Sequence, residues 1–170
     1  MATEKKREKI VVTGGAGLIG SHVAESYIKM GYEVVIIDNL SNGSRKNIPP
    51  GAIFYETDIS DPKKMEAIFK KESPALVNHH ASQIDVRLSV ENPIHDAKVN
   101  IVGTLNLLEA SRKEGVKKFI YASSGGAVYG ETPAEGAKES DPTHPISHYA
   151  VSKLSAEYYT RLYSHLYGLD

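Results

Sequence analysis

The sequence predicts an α/β fold: a parallel sheet, doubly wound, with helices on both faces. Three observations predict it. Short β-branched or apolar runs recur along the 170 residues, each followed by a helical pattern or a loop, the alternation from which parallel sheets are built. The helical stretches carry start and stop residues of the right kinds. A glycine-rich turn joins the first apolar run to the first helix. The length suits one domain with a substantial core and is short for two.

Taken in order, MATEKKREK is charged and lacks the apolar segment that a targeting peptide places after it, so residues 1–9 read as a flexible tail and 10–170 as the domain. KIVVT is the first strand, and 18–30 the first helix, ended by Gly31. EVVIID is the second strand, with a Gly/Asn/Pro loop at 41–51 behind it. AIFYE leads to a helix at 62–71, where Asp61 is the N-cap and Pro62 the first helical residue. PALVNH leads to a helix at 94–114, stopped by Gly115. Ile94, Ala97, Ile101, Leu105 and Leu108 recur at helical spacing and are expected to pack on the sheet. KFIYAS is the last strand, 130–145 is irregular, and 146–167 is the final helix, ended by Gly168.

Composition narrows the function classes. With 20 Lys+Arg against 21 Asp+Glu the net charge is −1, which gives no global field to draw nucleic acid or an anionic membrane. The lack of Cys excludes disulfides and thiolate metal sites, and no apolar run is long enough to span a bilayer. A soluble, cytoplasmic protein is expected. No repeat, low-complexity tract or linker interrupts the chain.

VVTGGAGLIGSH sets Gly14, Gly17 and Gly20 between a strand and a helix. Gly14 permits the tight turn, Gly17 lets the backbone approach a diphosphate, and Gly20 lets helix and strand pack closely. The helix N-terminus, opening at Leu18 and Ile19, offers free N–H groups and a positive dipole end, so phosphate binds without net basic charge. Asp38 ends the second strand, 18 positions past Gly20, where a dinucleotide fold puts a carboxylate to accept from the adenosine ribose. Its charge repels a 2′-phosphate and Asn39 offers no cation, so NAD is favoured over NADP. Arg45 and Lys46 are the cations that could reach back from the next loop.

Tyr149 and Lys153 in HYAVSK are four apart and share one helix face. A free tyrosine titrates near pH 10, and an ammonium about 6 Å away at an effective dielectric of about 20 stabilises its phenolate by roughly 2.8 kcal/mol, some two of the three pH units that base activity near neutrality requires. The positive ring of oxidised NAD is the obvious second contributor.

These motifs, with DNLSNG, Asp58-Ile59, NHHASQIDVRLS, NIVGTLNLLEA, FIYASSGGAVYG and YAVSK in that order, resemble the extended short-chain dehydrogenase/reductase family from Lys9 to Asp170, in its NAD-dependent epimerase/dehydratase group and nearest its UDP-glucose 4-epimerase branch. The resemblance implies a Rossmann-type sheet in the order 3-2-1-4-5. It implies a cofactor site of Gly14, Gly17, Leu18, Ile19, Gly20, Asp38, Asn39, Asn42, Gly43, Asp58, Ile59, Ala81, Ser82, Gln83, Asn100, Tyr149 and Lys153. Asp58 and Ile59 would flank the adenine, Ala81 would line the wall near the nicotinamide ribose, and Asn100 would brace the active-site helix and its neighbouring strand. Ser124, Tyr149 and Lys153 would be the catalytic set: Tyr149 removing the proton of a sugar 4-hydroxyl, Ser124 steadying that oxygen as a ketone forms, and Lys153 also holding the ribose. The ketone would turn over and be reduced on its other face.

Many members have one residue fewer before the VYG triplet, so counting back from Val128 puts Gly125 at the catalytic hydroxyl position. Counting forward from the strand gives Ser124, which is preferred because the strand fixes geometry while a loop absorbs an added Gly; Ser123 is the fallback. Related dehydratases and decarboxylases carry an acid just after this position, and here the residues are GGA. Epimerisation or simple carbonyl reduction remains.

His79 and His80 are adjacent on a strand and point to opposite faces, so they read as wall and packing residues rather than metal ligands. Tyr158, Tyr159, Tyr163 and Tyr167 read as packing against the sheet or a partner helix, and the resemblance makes a homodimer through 94–114 and 146–167 possible. Family members are longer, their remaining part supplying further strands and the smaller domain that grips a UDP-hexose. Two readings of the chain follow: a nucleotide-sugar 4-epimerase, or a cofactor-binding domain without turnover, with the KFIYAS strand left as a sheet edge with no neighbour on one side.

Overall fold

The computed structural model describes residues 8–132 and 136–170. Five strands, β1 (Lys9–Thr13), β2 (Glu33–Asp38), β3 (Ile53–Glu56), β4 (Leu76–His79) and β5 (Lys118–Tyr121), form one parallel sheet in the order β3-β2-β1-β4-β5, the predicted Rossmann-type order. After Lys9, β1 is buried throughout, as is β2 after Glu33, which is why both read as continuous apolar runs.

The helices divide between the faces. On one side α1 (Leu18–Lys29) covers Ile10, Val12, Val34 and Ile36 through Ala24, Val23 and Tyr27. On the other, α2 (Pro62–Glu72), α5 (Gly103–Lys113) and α7 (His148–Tyr167) enclose Val11, Val35, Ile37, Val77 and Phe119 with Met65, Phe69, Leu107, Leu108 and Tyr163. Asp61 caps α2 by accepting from the N–H groups of Lys63 and Lys64, with Pro62 first in the helix. Gly31, Gly115 and Gly168 all take positive φ at the helix ends where the sequence put them.

Several expectations change. Of the tail expected over residues 1–9, residues 1–7 lie outside the described residues; Lys9 instead opens β1, and its ammonium bonds Glu72 at 2.7 Å, a carboxylate whose side chain is 4% exposed. The helix expected at 94–114 is α4 (Pro93–Ala97), a π-helical turn (Lys98–Val102) and α5. Only the later part of its apolar stripe faces inward: Leu108 is buried and Leu105 packs against the core, but Ile94 is 81% exposed, and at the earlier turns Asp96, Asn100 and Thr104 are buried instead. Hydrogen bonding, invisible to an apolar count, turns that polar row inward, and the wide turn shifts the phase that a single helix would keep. Two short helices escaped the periodicity altogether, α3 (Val86–Glu91), capped by Asp85, and the single turn α6 (Gly125–Val128). The edge strand β5 has a partial neighbour: Phe119 N–H donates to the Asp170 carbonyl at 2.7 Å and Asp170 N–H to Lys117 O at 3.2 Å.

Candidate functional site

The carboxyl ends of β1, β2, β4 and β5 converge with the N-termini of α1 and α7. At the end of β1 the chain turns at Gly14, whose φ is +68° and whose missing Cβ would stand 2.7 Å from Ala81 N. A Cβ on Gly20 would lie 2.2 Å from the Gly14 carbonyl. Only glycine fits at either point. Side-chain oxygens cap α2, α3, α4 and α7, but α1 starts at Gly17 with no side-chain cap. With glycine at the cap position the lost side-chain bond costs only about a few tenths of a kcal/mol, and it leaves the N–H groups of the first turn, next to the exposed Leu18 and Ile19, for an anionic ligand.

Asp38 does more than the sequence indicated. Its Oδ2 accepts from Ala16 N at 2.9 Å and its Oδ1 from Leu40 N at 2.8 Å, so a carboxylate that is 7% exposed also braces the glycine turn. The loop of Asn42 and Gly43 closes over the same turn. Ser44 N–H and Asn47 Nδ2 both donate to Ala16 O, and a Cβ on Gly43 would meet that of Ala16 at 2.9 Å. Asn47 carried no sequence signal. Asn39 Nδ2 donates to Asp58 Oδ2 at 2.9 Å, and Ser60 N–H to Asp58 Oδ1 at 2.8 Å. Burial works to raise the Asp58 carboxyl, but these bonds and Lys98 outweigh it, so it sits below its ordinary value. The Arg45 guanidinium pairs with Glu56 and lies over the Phe54 ring, which commits it away from the Asp38 carboxylate.

After β4 the backbone is held by a relay. Thr13 Oγ1 accepts from the N–H groups of His80 and Ala81 at 3.2 and 3.1 Å, so its own hydrogen goes to His79 Nδ1 at 2.7 Å. His79 Nε2–H then donates to Thr104 Oγ1 at 3.0 Å, and Thr104 donates to Asn100 O at 2.7 Å. Burial, then the Lys153 charge, holds His79 well below its ordinary value, and this neutral ring with both nitrogens occupied is a strut, not a metal ligand. Three residues grouped above as cofactor contacts have their side chains spent inside. Asn100 is 2% exposed and pairs with the Gln83 backbone in both directions. Gln83 Nε2 donates to Asp85 O and Asp96, and Ile59 packs in the core against Gly103. They shape the wall rather than present side chains to a ligand.

At the end of β5, Ser123 Oγ donates to Glu157, while Ser124 caps α6 through its carbonyl, which accepts from Ala127 and Val128. Gly125 and Gly126 open that turn, where a Cβ on either would meet nothing. Tyr149 and Lys153 lie one turn apart on α7. Lys153 is 5% exposed; its Nζ donates to Ala122 O at 2.6 Å and stands 4.6 Å from the Tyr121 ring centre. Burial lowers its pKa from 10.5 to about 8, with Glu157 and Asp96 acting the other way. Beside it, His80 Nε2 and Tyr121 Oη are buried without partners, polar atoms that suit a polar ligand.

The family described as NAD dependent epimerase/dehydratase matches residues 10–170. The chain belongs to that family. Among curated relatives, the UDP-glucose 4-epimerase of Mycolicibacterium smegmatis is 40% identical over 167 residues, covering 95% of this chain and 53% of the relative. Among solved structures, the UDP-glucose 4-epimerase of Thermotoga maritima with UDP-glucose is 48% identical, with a TM-score of 0.90, over 95% of this chain and 52% of the other. That of Thermus thermophilus in complex with NAD is 46% identical, with a TM-score of 0.92 and the same coverage. The chain thus spans about half the length of these epimerase/dehydratase relatives. Among its described residues no helix is long and apolar enough to cross a membrane.

Proposed function

We propose that this chain carries the NAD-binding and acid–base half of a nucleotide-sugar 4-epimerase of the UDP-glucose/UDP-galactose type. The observation that carries the reading is the convergence of an uncapped glycine turn, the Asp38 carboxylate and the buried Lys153 ammonium at one end of one sheet. The N–H groups of Leu18 and Ile19 would take the diphosphate, Asp38 the adenosine ribose, and Lys153 the nicotinamide ribose. The acidic Asp38 and the engaged Arg45 favour NAD over NADP. NAD, when bound, supplies a reversible acceptor for the hydrogen on the sugar's C4. Tyr149 takes the 4-hydroxyl proton as that oxygen becomes a ketone and returns it after the sugar has turned over, so inversion occurs without net redox change. Ser124 donates to the same oxygen, a role supported by Ser123 being engaged with Glu157.

The test is a coupled assay of UDP-galactose conversion to UDP-glucose, beside a direct NAD-binding titration. Tyr149→Phe is expected to lower turnover about a thousandfold with NAD affinity within about threefold, the range seen when a positioned general acid–base is removed. Full activity in the variant would overturn the assignment. NAD binding with no turnover in the parent would leave only the cofactor half of the reading standing.

A homodimer through α5 and α7 belongs to the same reading. Val151, Tyr158, Leu162 and Leu166 recur at helical spacing along α7 and are 45–58% exposed, an apolar stripe of the kind that pairs helices. Sedimentation equilibrium is expected to give twice the chain mass, and Leu162→Glu to halve it; a monomeric parent at micromolar concentration would overturn the pairing.

A further inference from the structure

The Asp96 carboxylate is 0% exposed, and its three donors are all neutral. Its Oδ1 accepts from Gln83 Nε2 and Asn100 Nδ2, both at 3.0 Å, and its Oδ2 from Ser152 Oγ at 2.6 Å. A buried anion persists where donors replace its lost hydration, and neutral donors do this without cancelling its charge. The donors come from three places: the segment after β4, the π-helical turn and α7. Ser152 directly precedes Lys153. On the same end of α7, Tyr149 N–H donates at 3.1 Å to Ser89 Oγ of α3, a residue that is also 0% exposed. The first two turns of α7 are therefore pinned twice, on Ser89 and on Asp96.

We propose that Asp96 is a positioning residue of the candidate site: through Ser152 it fixes the Tyr149–Lys153 turn against the wall built by Gln83 and Asn100, and its buried charge joins that of Glu157 in favouring the Lys153 cation. The groups that face Lys153 are Asp96 from α4, Glu157 and Tyr149 from α7, Tyr121 from β5, and His79 and His80 at the end of β4. Burial works against the ammonium, and Glu157 and Asp96 work for it. Glu157 is half-buried, engages Ser123 and is partly screened by water; Asp96 has no water to screen it. The inference rests on reading Lys153 as the cation of the site, but not on turnover.

The experiment follows the Lys153 Cε resonance by NMR through the alkaline range in the unliganded protein, assigned with Lys153→Arg. Asp96→Asn keeps the shape while removing the charge: its Oδ1 still accepts from Gln83 and Asn100, and the Ser152 hydroxyl turns to accept from the new amide. Its Lys153 midpoint is expected below the parent's by about half a pH unit, since one of the two carboxylates that act for the ammonium is removed. A folded variant with an unchanged midpoint overturns the proposal. Where Asp96→Asn does not fold, Ser152→Ala decides through hydrogen exchange. Amides 149–153 are then expected to exchange about tenfold faster, with the later turns of α7 unchanged, and unchanged exchange overturns the proposal. Neither measurement uses NAD or a sugar, so failure here is separate from failure of the epimerase reading.

Discussion

Replacing Lys153 by Met is expected to stabilise the ligand-free protein by about 2 kcal/mol at pH 7 while abolishing NAD binding. Lys153 is 5% exposed, and burial is the first cause of its fall from 10.5 to about 8. At 1.36 kcal/mol per pH unit, that fall means that the buried ammonium costs about 3 kcal/mol. Losing the bond to Ala122 O gives back about 1 kcal/mol, so removal of the charge wins. The pH dependence identifies the cause. The unfolded chain keeps the lysine proton to about pH 10.5 and the folded one to about 8, so between these values the unfolded state binds more protons and parent stability rises with pH. The advantage of the variant is therefore full below pH 8, shrinks across the window, is lost before about 10.5, and above that leaves the parent ahead by the ~1 kcal/mol of the Ala122 bond. Urea titrations of both proteins at a series of pH values check this, and a variant no more stable than the parent at pH 7 would overturn the account. A group kept at such a cost is what a functional site retains against the interest of the fold.

Gly20→Ala is expected to cost about 3 kcal/mol, the upper end of overpacking penalties, and to remove NAD binding. Alanine is the better helix former by about 1 kcal/mol, and Gly20 lies in the first turn of α1. The clash decides the sign. The new methyl would stand 2.2 Å from Gly14 O, 2.8 Å from Gly14 C and 3.0 Å from Gly15 Cα, all backbone atoms of the turn that would hold the diphosphate. Relief requires moving the turn itself. Gly31→Ala is the matched control: a Cβ there meets nothing within 4 Å, and only its φ of +89° is strained. It should cost about 1 kcal/mol and leave NAD binding intact. Denaturation midpoints and NAD titrations of the two variants separate the effects; a Gly20→Ala protein as stable as Gly31→Ala would show that the turn yields.

The strands were legible because each is a short apolar run bounded by turn residues, and the helix ends because Asp61, Gly31, Gly115 and Gly168 act through their own φ or their own side-chain oxygen. The helices at 86–91 and 125–128 were not, since four to six residues are too few to display a period. The polar face of Asp96, Asn100 and Thr104 was missed for a different reason. An apolar count assigns such residues to solvent, and only partners distant in sequence, at Gln83, Ser152 and His79, reveal that they are buried and satisfied.

The sequence by itself determined the α/β alternation, the glycine turn, the Asp38 carboxylate at a strand end and the four-residue spacing of Tyr149 and Lys153. These are local matters of backbone freedom and side-chain period, settled within a few residues. Tertiary structure alone decided which of two adjacent serines is engaged by Glu157, that Arg45 is committed to Glu56 and Phe54, that Asp38 braces Ala16, and that Lys153 lies beneath the surface beside Tyr121. Each depends on a partner brought close only when the sheet closes, and burial, which sets the charge state of Lys153, belongs to the assembled fold rather than to any segment of the chain.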